Sequence, residues 1–330
     1  MRIYDVVIIG SGPAGYTAGL YLARAKLSPV VLAGEKHGGQ LMLTTEVENY
    51  PGFQRGILGP ELMASMREQA KRFGAEIFDV TASGVDFSKQ PFRIWTDQGN
   101  ERKEYLGKAV IIATGARARL LGVGEERLLG RGVSTCAVCD AAFFKDKVTF
   151  VVGGGDAAME EVLSLARYAR SVTLIHRRDT LRASKIMQER VLEGHKDRVK
   201  SRWNSQVVGV TGEKKLEAIT VEDTKTGKKE ELATDGLFIS IGHVPETSIF
   251  DGQVELDQKG YLVTKLTSSW SDIPQKTWLE DYPTMTSVQG VFGAGDVVDF
   301  RYRQAVTAAG MGCMAALDVE KYLTGSMQSW

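Results

Sequence analysis

Short apolar, β-branched runs alternate along the chain with glycine-rich turns and helical patterns. The run "YDVVII" at 4–9 predicts a buried parallel strand, which ends at "GSGPAG" and is followed by the helical pattern "YTAGLYLARA". The run "VVLAGE" at 30–35 closes a strand-helix-strand unit. The same order recurs from 148 to 178, with "VTFVV", "GGGDAA", a helix and "SVTLIHRR". Two such units, each with its own glycine loop, predict two doubly wound domains.

Three further apolar strands end in glycine and indicate how the domains are ordered. They are "AVIIATGA" at 109–116, "GLFISIGHVP" at 236–245 and "GVFGAGDV" at 290–297, the last preceding an amphipathic helix. The pattern predicts that the second domain interrupts the first. We therefore expect an α/β protein with two Rossmann-like doubly wound nucleotide-binding domains. One is formed by residues 1–117 and 247–330, and the other, residues 118–246, is inserted into it.

Composition narrows the class of protein. The 330 residues are 43% hydrophobic and 25% charged, which is typical of globular domains and not of disordered or fibrous chains. Lys plus Arg and Asp plus Glu both number 41, so no overall positive charge favours nucleic acid or an anionic membrane as a partner. No apolar run approaches the roughly 20 residues of a membrane span. Three cysteines and a start without a signal-peptide pattern predict a cytoplasmic protein.

The first glycine loop, residues 10–15, matches the G-x-G-x-x-G fingerprint between a strand and a helix. Gly10 permits the tight turn, Gly12 lets backbone N–H groups approach a pyrophosphate, and Gly15 lets helix and strand pack closely. Glu35, twenty positions after Gly15, stands where an acid that binds the ribose is expected.

The second glycine loop, residues 153–158, matches the form of the fingerprint that ends in alanine. About twenty residues further on there is no acid, and the chain carries His176, Arg177, Arg178 and then Arg182. Guanidinium groups suit a 2′-phosphate, so this domain is predicted to prefer NADP(H) over NAD(H). A solvated basic surface is the alternative. The first loop has no arginine cluster, and we assign FAD to it.

Cys136 and Cys139 lie two residues apart in "STCAVCDAAFF", residues 134–144. A redox disulfide, a zinc site and two inert buried thiols are the alternatives. Zinc needs two more ligands, yet the remaining candidates include no pair at short spacing: Cys313, His37, His176, His195 and His243. A helix start at the pair would lower a thiol pKa, which favours the redox alternative. Asp140 would exchange a proton with a thiolate, cap the helix before "AAFF", or do both. Cys313 is predicted to fill the core.

The order of these segments resembles the low-molecular-weight thioredoxin reductases over nearly the whole chain. The segments are "GSGPAGYTA", "GGQLMLTTEVENYPGF", "ATGA", "CAVCD", "GGGDAAMEE", "HRRDTLRASK", "GAGDV" and "YRQAVTAAGMGCMAAL". The resemblance implies FAD in the discontinuous domain and NADPH in the inserted one. The FAD residues would be Gly10, Gly12, Pro13, Ala14, Glu35, Gln40, Asn49, Thr114, Gly115, Gly295, Asp296, Arg303, Gln304 and Ala305. The NADPH residues would be Gly153, Gly155, Asp156, Ala157, Ala158, His176, Arg177, Arg178 and Arg182.

The same resemblance implies a mechanism and a partner. NADPH would give a hydride to the flavin, and the reduced flavin would open the Cys136–Cys139 disulfide. Cys139 would be the thiol nearer the flavin, Cys136 would attack the disulfide of thioredoxin, and Asp140 would be the acid. A homodimer is implied, together with rotation of the NADPH domain about the segments 116–121 and 243–248.

Two other functions stay open at this point, and one segment departs from the family. The alternatives are an NADPH-flavin reductase that serves ferredoxin or another partner, and a non-enzymatic module that senses NADP(H) or oxidants. The connection between Gly260 and Gly290 is longer than the family leads us to expect, and it carries Trp270, Trp278 and Tyr282. It is either a surface flap or, with the terminal Trp330, a contact to the flavin, a dimer partner or an incoming protein.

Overall fold

A computed structural model describes residues 2–43, 46–98, 101–266 and 281–325. The strands of the described residues are β1 Ile3–Ile9, β2 Pro29–Leu32, β3 Glu46–Val47, β4 Ile57–Leu58, β5 Glu76–Phe78, β6 Ala82–Asp86, β7 Phe92–Gln98, β8 Glu101–Ile112, β9 Ala116–Ala118, β10 Val133–Ser134, β11 Val148–Gly153, β12 Ser171–Ile175, β13 Val199–Arg202, β14 Ser205–Thr211, β15 Ala218–Asp223, β16 Lys229–Ala233, β17 Gly236–Ser240, β18 His243–Pro245 and β19 Val291–Gly293. The α-helices are α1 Pro13–Arg24, α2 Gly59–Arg72, α3 Ala137–Asp140, α4 Asp156–Ala166, α5 Lys185–Leu192 and α6 Ala305–Thr324. Short 3-10 helices span Gly39–Leu43, Glu125–Leu128, Ala141–Phe144 and Ser248–Phe250.

The chain forms two compact units. The first contains residues 1–117 and 244–330, and the second contains residues 118–243. The second unit is thus inserted into the first. The chain returns to the first unit at residue 244, three residues earlier than the predicted start at residue 247.

The first unit is built on a seven-stranded sheet. Its parallel part has the order β5-β2-β1-β8-β19, and the first half of β8 continues into an antiparallel arm formed with β7 and β6. Strand β1 is buried on both faces: Val7 and Ile9 pack on one side, and Val6 and Ile8 pack on the other, against α1 and α6. This two-sided burial explains why the strand reads as a continuous apolar run. The antiparallel arm was not predicted.

The second unit has a parallel sheet of order β10-β17-β11-β12-β13. Val151 of β11 packs with helices α3 and α4 on one face, whereas Phe150 and Val152 face a separate antiparallel sheet, β14-β15-β16. Both units therefore place a glycine loop at the carboxyl end of a central parallel strand, β1 in the first and β11 in the second. This edge of a parallel sheet is where nucleotides bind in doubly wound folds.

Candidate active site

The first glycine loop is packed so tightly that two of its glycines have no room for a side chain. Gly10 has φ of +113°, and a Cβ there would lie 2.2 Å from the carbonyl oxygen of Ala113. A Cβ on Gly15 would lie 2.1 Å from the carbonyl oxygen of Gly10. These contacts agree with the turn and packing roles predicted for the two residues.

Gly12 differs from its neighbours because a Cβ there would meet no atom of the described residues within 4 Å. It is the N-cap of the twelve-residue helix α1, which has Pro13 in its first turn and no side-chain cap. The space in front of this helix start is therefore open to a ligand, and its N–H groups favour an anion. An FAD pyrophosphate fits that description.

A second loop, which follows β19, lies on the same edge of the sheet. Gly295 has φ of +82°, and its Cβ would come within 2.9 Å of the Ala14 Cβ. Among the described residues, Asp296 Oδ1 is buried without a hydrogen-bond partner. Burial and the nearby Asp299 carboxylate raise the pKa of Asp296 to about 7, against the opposing effect of Arg303. A hydroxyl donor of a bound FAD would satisfy this orphaned oxygen.

The start of α6 lies after the β19 loop, next to the carboxyl-end edge of the first unit's sheet. Gln304 is the N-cap of α6 and accepts a hydrogen bond from the Asn49 side-chain amide at 3.2 Å. The preceding loop is organised by Asp299, whose carboxylate accepts N–H bonds from Arg301, Tyr302 and Arg303 at 2.9, 2.9 and 3.0 Å. Sequence reasoning missed Asp299, although an Asp before a loop is a known turn signal.

Four further residues predicted for FAD lie in the first unit, three just after strands and one, Gln40, in a 3-10 helix. Thr114 Oγ1 donates to the carbonyl of Glu246 at 2.7 Å, and the Gly115 carbonyl accepts from the N–H of Glu246 at 3.0 Å. Gln40 is exposed in a 3-10 helix, and Glu35 is exposed after β2. Their assignment to FAD stays a prediction. Ser11, which was missed, connects the first glycine loop to the segment after β2 because its hydroxyl donates to the Ala33 carbonyl and accepts the Gly38 N–H.

The second glycine loop repeats the contrast between crowded and open glycines. A Cβ on Gly153 would lie 2.5 Å from both the Ala158 Cβ and the Ser240 carbonyl oxygen. A Cβ on Gly155 would meet none of the described atoms within 4 Å, and Gly155 is the N-cap of α4 without a side-chain cap. This opening fits the pyrophosphate of NADPH.

The segment after β12 folds back onto this loop. The Gly154 carbonyl accepts N–H bonds from Arg182 and Ala183 at 2.7 and 3.0 Å, and Asp156 accepts the N–H of Ser184 at 2.7 Å. Arg177, Arg178 and Arg182 are exposed. The fold thus brings the predicted 2′-phosphate arginines to the segment that covers the glycine loop.

His176 is held inside the fold and is not presented on the surface. Its two ring nitrogens lie 2.8 Å from the Gly153 carbonyl oxygen and 3.0 Å from that of Thr180, and its ring crosses Trp203 edge-on. Its ring also fills the space beside Gly154, where a Cβ would come within 2.2 Å. His176 therefore supports the second glycine loop from inside the fold.

The cysteine pair lies in the second unit and is oxidised. Cys136 and Cys139 form a disulfide with Cα atoms 5.4 Å apart, and Cys136 is the N-cap of α3, so the predicted helix start is present. Both cysteines are half-buried, and Val138 between them is 59% exposed. No three His, Cys, Asp or Glu side chains of the described residues are grouped as a metal site. Cys313 is a free, half-buried thiol on α6.

Asp140 is joined to Cys136 through Ser134. The Ser134 hydroxyl donates to Asp140 Oδ2 at 2.6 Å and accepts the N–H of Cys136 at 3.0 Å. Asp140 is the N-cap of the 3-10 helix Ala141–Phe144 but makes no side-chain cap there, so the capping alternative is wrong. Burial raises the pKa of Asp140, and the Ser134 bond lowers it by a smaller amount. Its Oδ1 is buried and, among the described residues, lacks a partner. A carboxyl in this environment can hold a proton at a pH where a free Asp cannot.

The connection between Gly260 and Gly290, which is longer than the family leads us to expect, is described only in part. Trp270 and Trp278 lie outside the described residues, as does Trp330. Tyr282 packs within its own unit, with its ring edge-on to Phe292 and Tyr322 at centroid distances of 6.4 and 5.8 Å. No helix among the described residues is long and apolar enough to cross a membrane.

Comparison with known proteins identifies the class. The sequence profile of the family described as pyridine nucleotide-disulphide oxidoreductase matches residues 4–312. The chain therefore belongs to this family, which confirms the predicted enzyme class and the two-domain α/β fold.

Particular relatives narrow the class further. A thioredoxin reductase of Streptomyces clavuligerus is 51% identical over 99% of this chain and 96% of its own. A bifunctional thioredoxin reductase/thioredoxin of Mycobacterium leprae is 48% identical over 97% of this chain and 66% of its own. The solved structure of a thioredoxin reductase from Giardia duodenalis superposes with a TM-score of 0.84 at 40% identity, covering 98% and 99% of the two chains. The predicted resemblance is confirmed.

Proposed function

We propose that this protein is an NADPH-dependent reductase of the thioredoxin disulfide, with FAD and NADPH as its cofactors. The observation that carries the proposal is the Cys136–Cys139 disulfide beside the half-buried Asp140, in the same unit as the arginine-flanked glycine loop. The relatives that match nearly the whole chain are thioredoxin reductases, which supports thioredoxin as the partner.

The cofactors have matching places in the chain. We assign FAD to the first unit, at Gly12, Asp296 and the start of α6, and NADPH to the second unit, at Gly155 and the three exposed arginines. Bound FAD supplies a two-electron carrier between the hydride of NADPH and the disulfide. The open helix starts and the orphaned Asp296 oxygen support this assignment.

The chemistry on the chain itself is thiol-disulfide exchange. In the reduced pair, Cys136 loses its proton, and its thiolate attacks one sulfur of the thioredoxin disulfide to form a mixed disulfide. The sulfur that is released takes up a proton. Cys139 then loses its proton, and its thiolate attacks the Cys136 sulfur. This attack reforms the Cys136–Cys139 disulfide and frees the second thioredoxin sulfur, which also takes up a proton. Asp140, whose pKa is raised by burial, gives the proton to a leaving thiolate.

Assembly and compartment are part of the same proposal. We propose a homodimer, as the family resemblance implies, and a cytoplasmic location. The small, odd number of cysteines supports the compartment.

The test separates flavin reduction from thioredoxin reduction. The purified protein should be yellow, and NADPH should bleach its flavin absorbance. Cys136→Ser should keep that bleaching and lose turnover with thioredoxin. Turnover that survives in Cys136→Ser would show that electrons leave by another route, as in a reductase for ferredoxin. A protein without any flavin would leave only the sensor alternative.

A further inference from the structure

Glu161 holds the first residue of the cysteine helix. It lies on α4, and its Oε2 accepts the backbone N–H of Ala137 at 2.5 Å across 24 positions of sequence. Ala137 is the first residue of α3 and directly follows Cys136. This carboxylate therefore holds the backbone turn between Cys136 and Cys139.

The Ala137 N–H needs such a partner. Helix α3 has four residues, and its own bonds run from the N–H groups of Cys139 and Asp140 to the Cys136 carbonyl, at 3.3 and 3.1 Å. The first N–H groups of a helix have no partner inside it. Ala137 is fully buried, in a cluster that includes Ala158 and Val162 of α4, so water cannot replace the bond to Glu161.

We propose that Glu161 is a positioning residue that keeps Cys136 and Cys139 in the geometry of the disulfide. This inference rests on the proposed function, in which the pair is the redox centre. The disulfide takes up two electrons and two protons to give two thiols, and the thiols are free to move apart. A bond that fixes the turn between them raises their effective concentration toward each other and so favours the disulfide. Its loss shifts the equilibrium toward the dithiol.

The experiment separates the hydrogen bond from the charge. Glu161→Gln keeps an oxygen acceptor of the same length without the charge, and Glu161→Asp keeps the charge with a shorter reach. The exposed neighbour Glu160 gives the control Glu160→Asp. The full-length flavoprotein is equilibrated at about pH 7 with mixtures of reduced and oxidised dithiothreitol, and the thiols of the Cys136–Cys139 peptide are then alkylated and counted.

We expect Glu161→Asp to shift the equilibrium about tenfold toward the dithiol, which is about 30 mV for a two-electron couple. Glu161→Gln should shift it less than about threefold, and Glu160→Asp should leave it unchanged. An unchanged equilibrium in Glu161→Asp, or a shift in Glu161→Gln as large as that in Glu161→Asp, would overturn the proposal. The measurement does not use thioredoxin, so a wild-type enzyme that fails to reduce thioredoxin would refute the function without affecting this result.

Discussion

Gly155→Ala should weaken NADPH binding without harming the fold. Gly155 has φ of −103° and ψ of 179°, which alanine adopts without strain, and the described residues leave the space at its Cβ empty. Replacing glycine at such backbone angles stabilises a folded chain by about 0.4–1 kcal/mol. Because Gly155 is the N-cap of α4, where glycine is preferred over alanine, this gain is offset, and the net change in stability should be small. The new methyl group would instead stand where the pyrophosphate approaches the start of α4. Loss of one hydrogen bond to a charged group costs about 1.5–3 kcal/mol, which corresponds to roughly a tenfold to hundredfold weaker affinity.

The matched control is Gly153→Ala in the same loop. Its Cβ would lie 2.5 Å from the Ala158 Cβ and from the Ser240 carbonyl oxygen, so overpacking should destabilise the fold by about 1–3 kcal/mol. Calorimetric titration with NADP⁺ and thermal unfolding of both flavoproteins measure the two effects. If Gly155→Ala binds NADP⁺ as the wild type does, or unfolds at a lower temperature than Gly153→Ala, the division into an open and a crowded glycine is wrong.

Three further predictions concern charged groups. Because burial raises the pKa of Asp140, the rate of thioredoxin reduction should fall as the pH rises through that pKa. Asp140→Asn should lower kcat about a hundredfold and remove this pH dependence. A pH profile that is the same in wild type and Asp140→Asn would argue against an acid role. The pKa of Asp296 rises from 3.8 to about 7, so its stabilising contribution is complete below about pH 4 and is lost as the pH rises through 7. Asp296→Asn should therefore raise the unfolding temperature of the flavin-free protein more at pH 8.5 than at pH 5, whereas equal increases would contradict the pKa. Replacing Arg177 and Arg178 by alanine should raise KM for NADPH at least tenfold and leave KM for NADH nearly unchanged; equal increases would mean that these side chains do not read the 2′-phosphate.

The two β-branched runs, each followed by a glycine loop and a helical pattern, were enough to predict the two parallel sheets. Each glycine loop follows a β-branched run and opens a helix, and both loops lie where such runs predict them, after β1 and β11. The antiparallel arm β6-β7 and the sheet β14-β15-β16 were missed, because short strands with mixed polarity depend on the neighbours that cover one face.

The glycine fingerprints, the arginines after β12 and the Cys-x-x-Cys spacing could be read from the sequence because their chemistry is carried by residues a few positions apart. The sequence by itself therefore determined where the two glycine loops and the cysteine pair lie. Only the tertiary structure separated the crowded Gly10 from the open Gly12, connected Asp140 to Ser134, and placed Glu161 on the N–H of Ala137. These features depend on how strands, loops and helices pack, and a contact across 24 positions leaves no periodic mark in the chain.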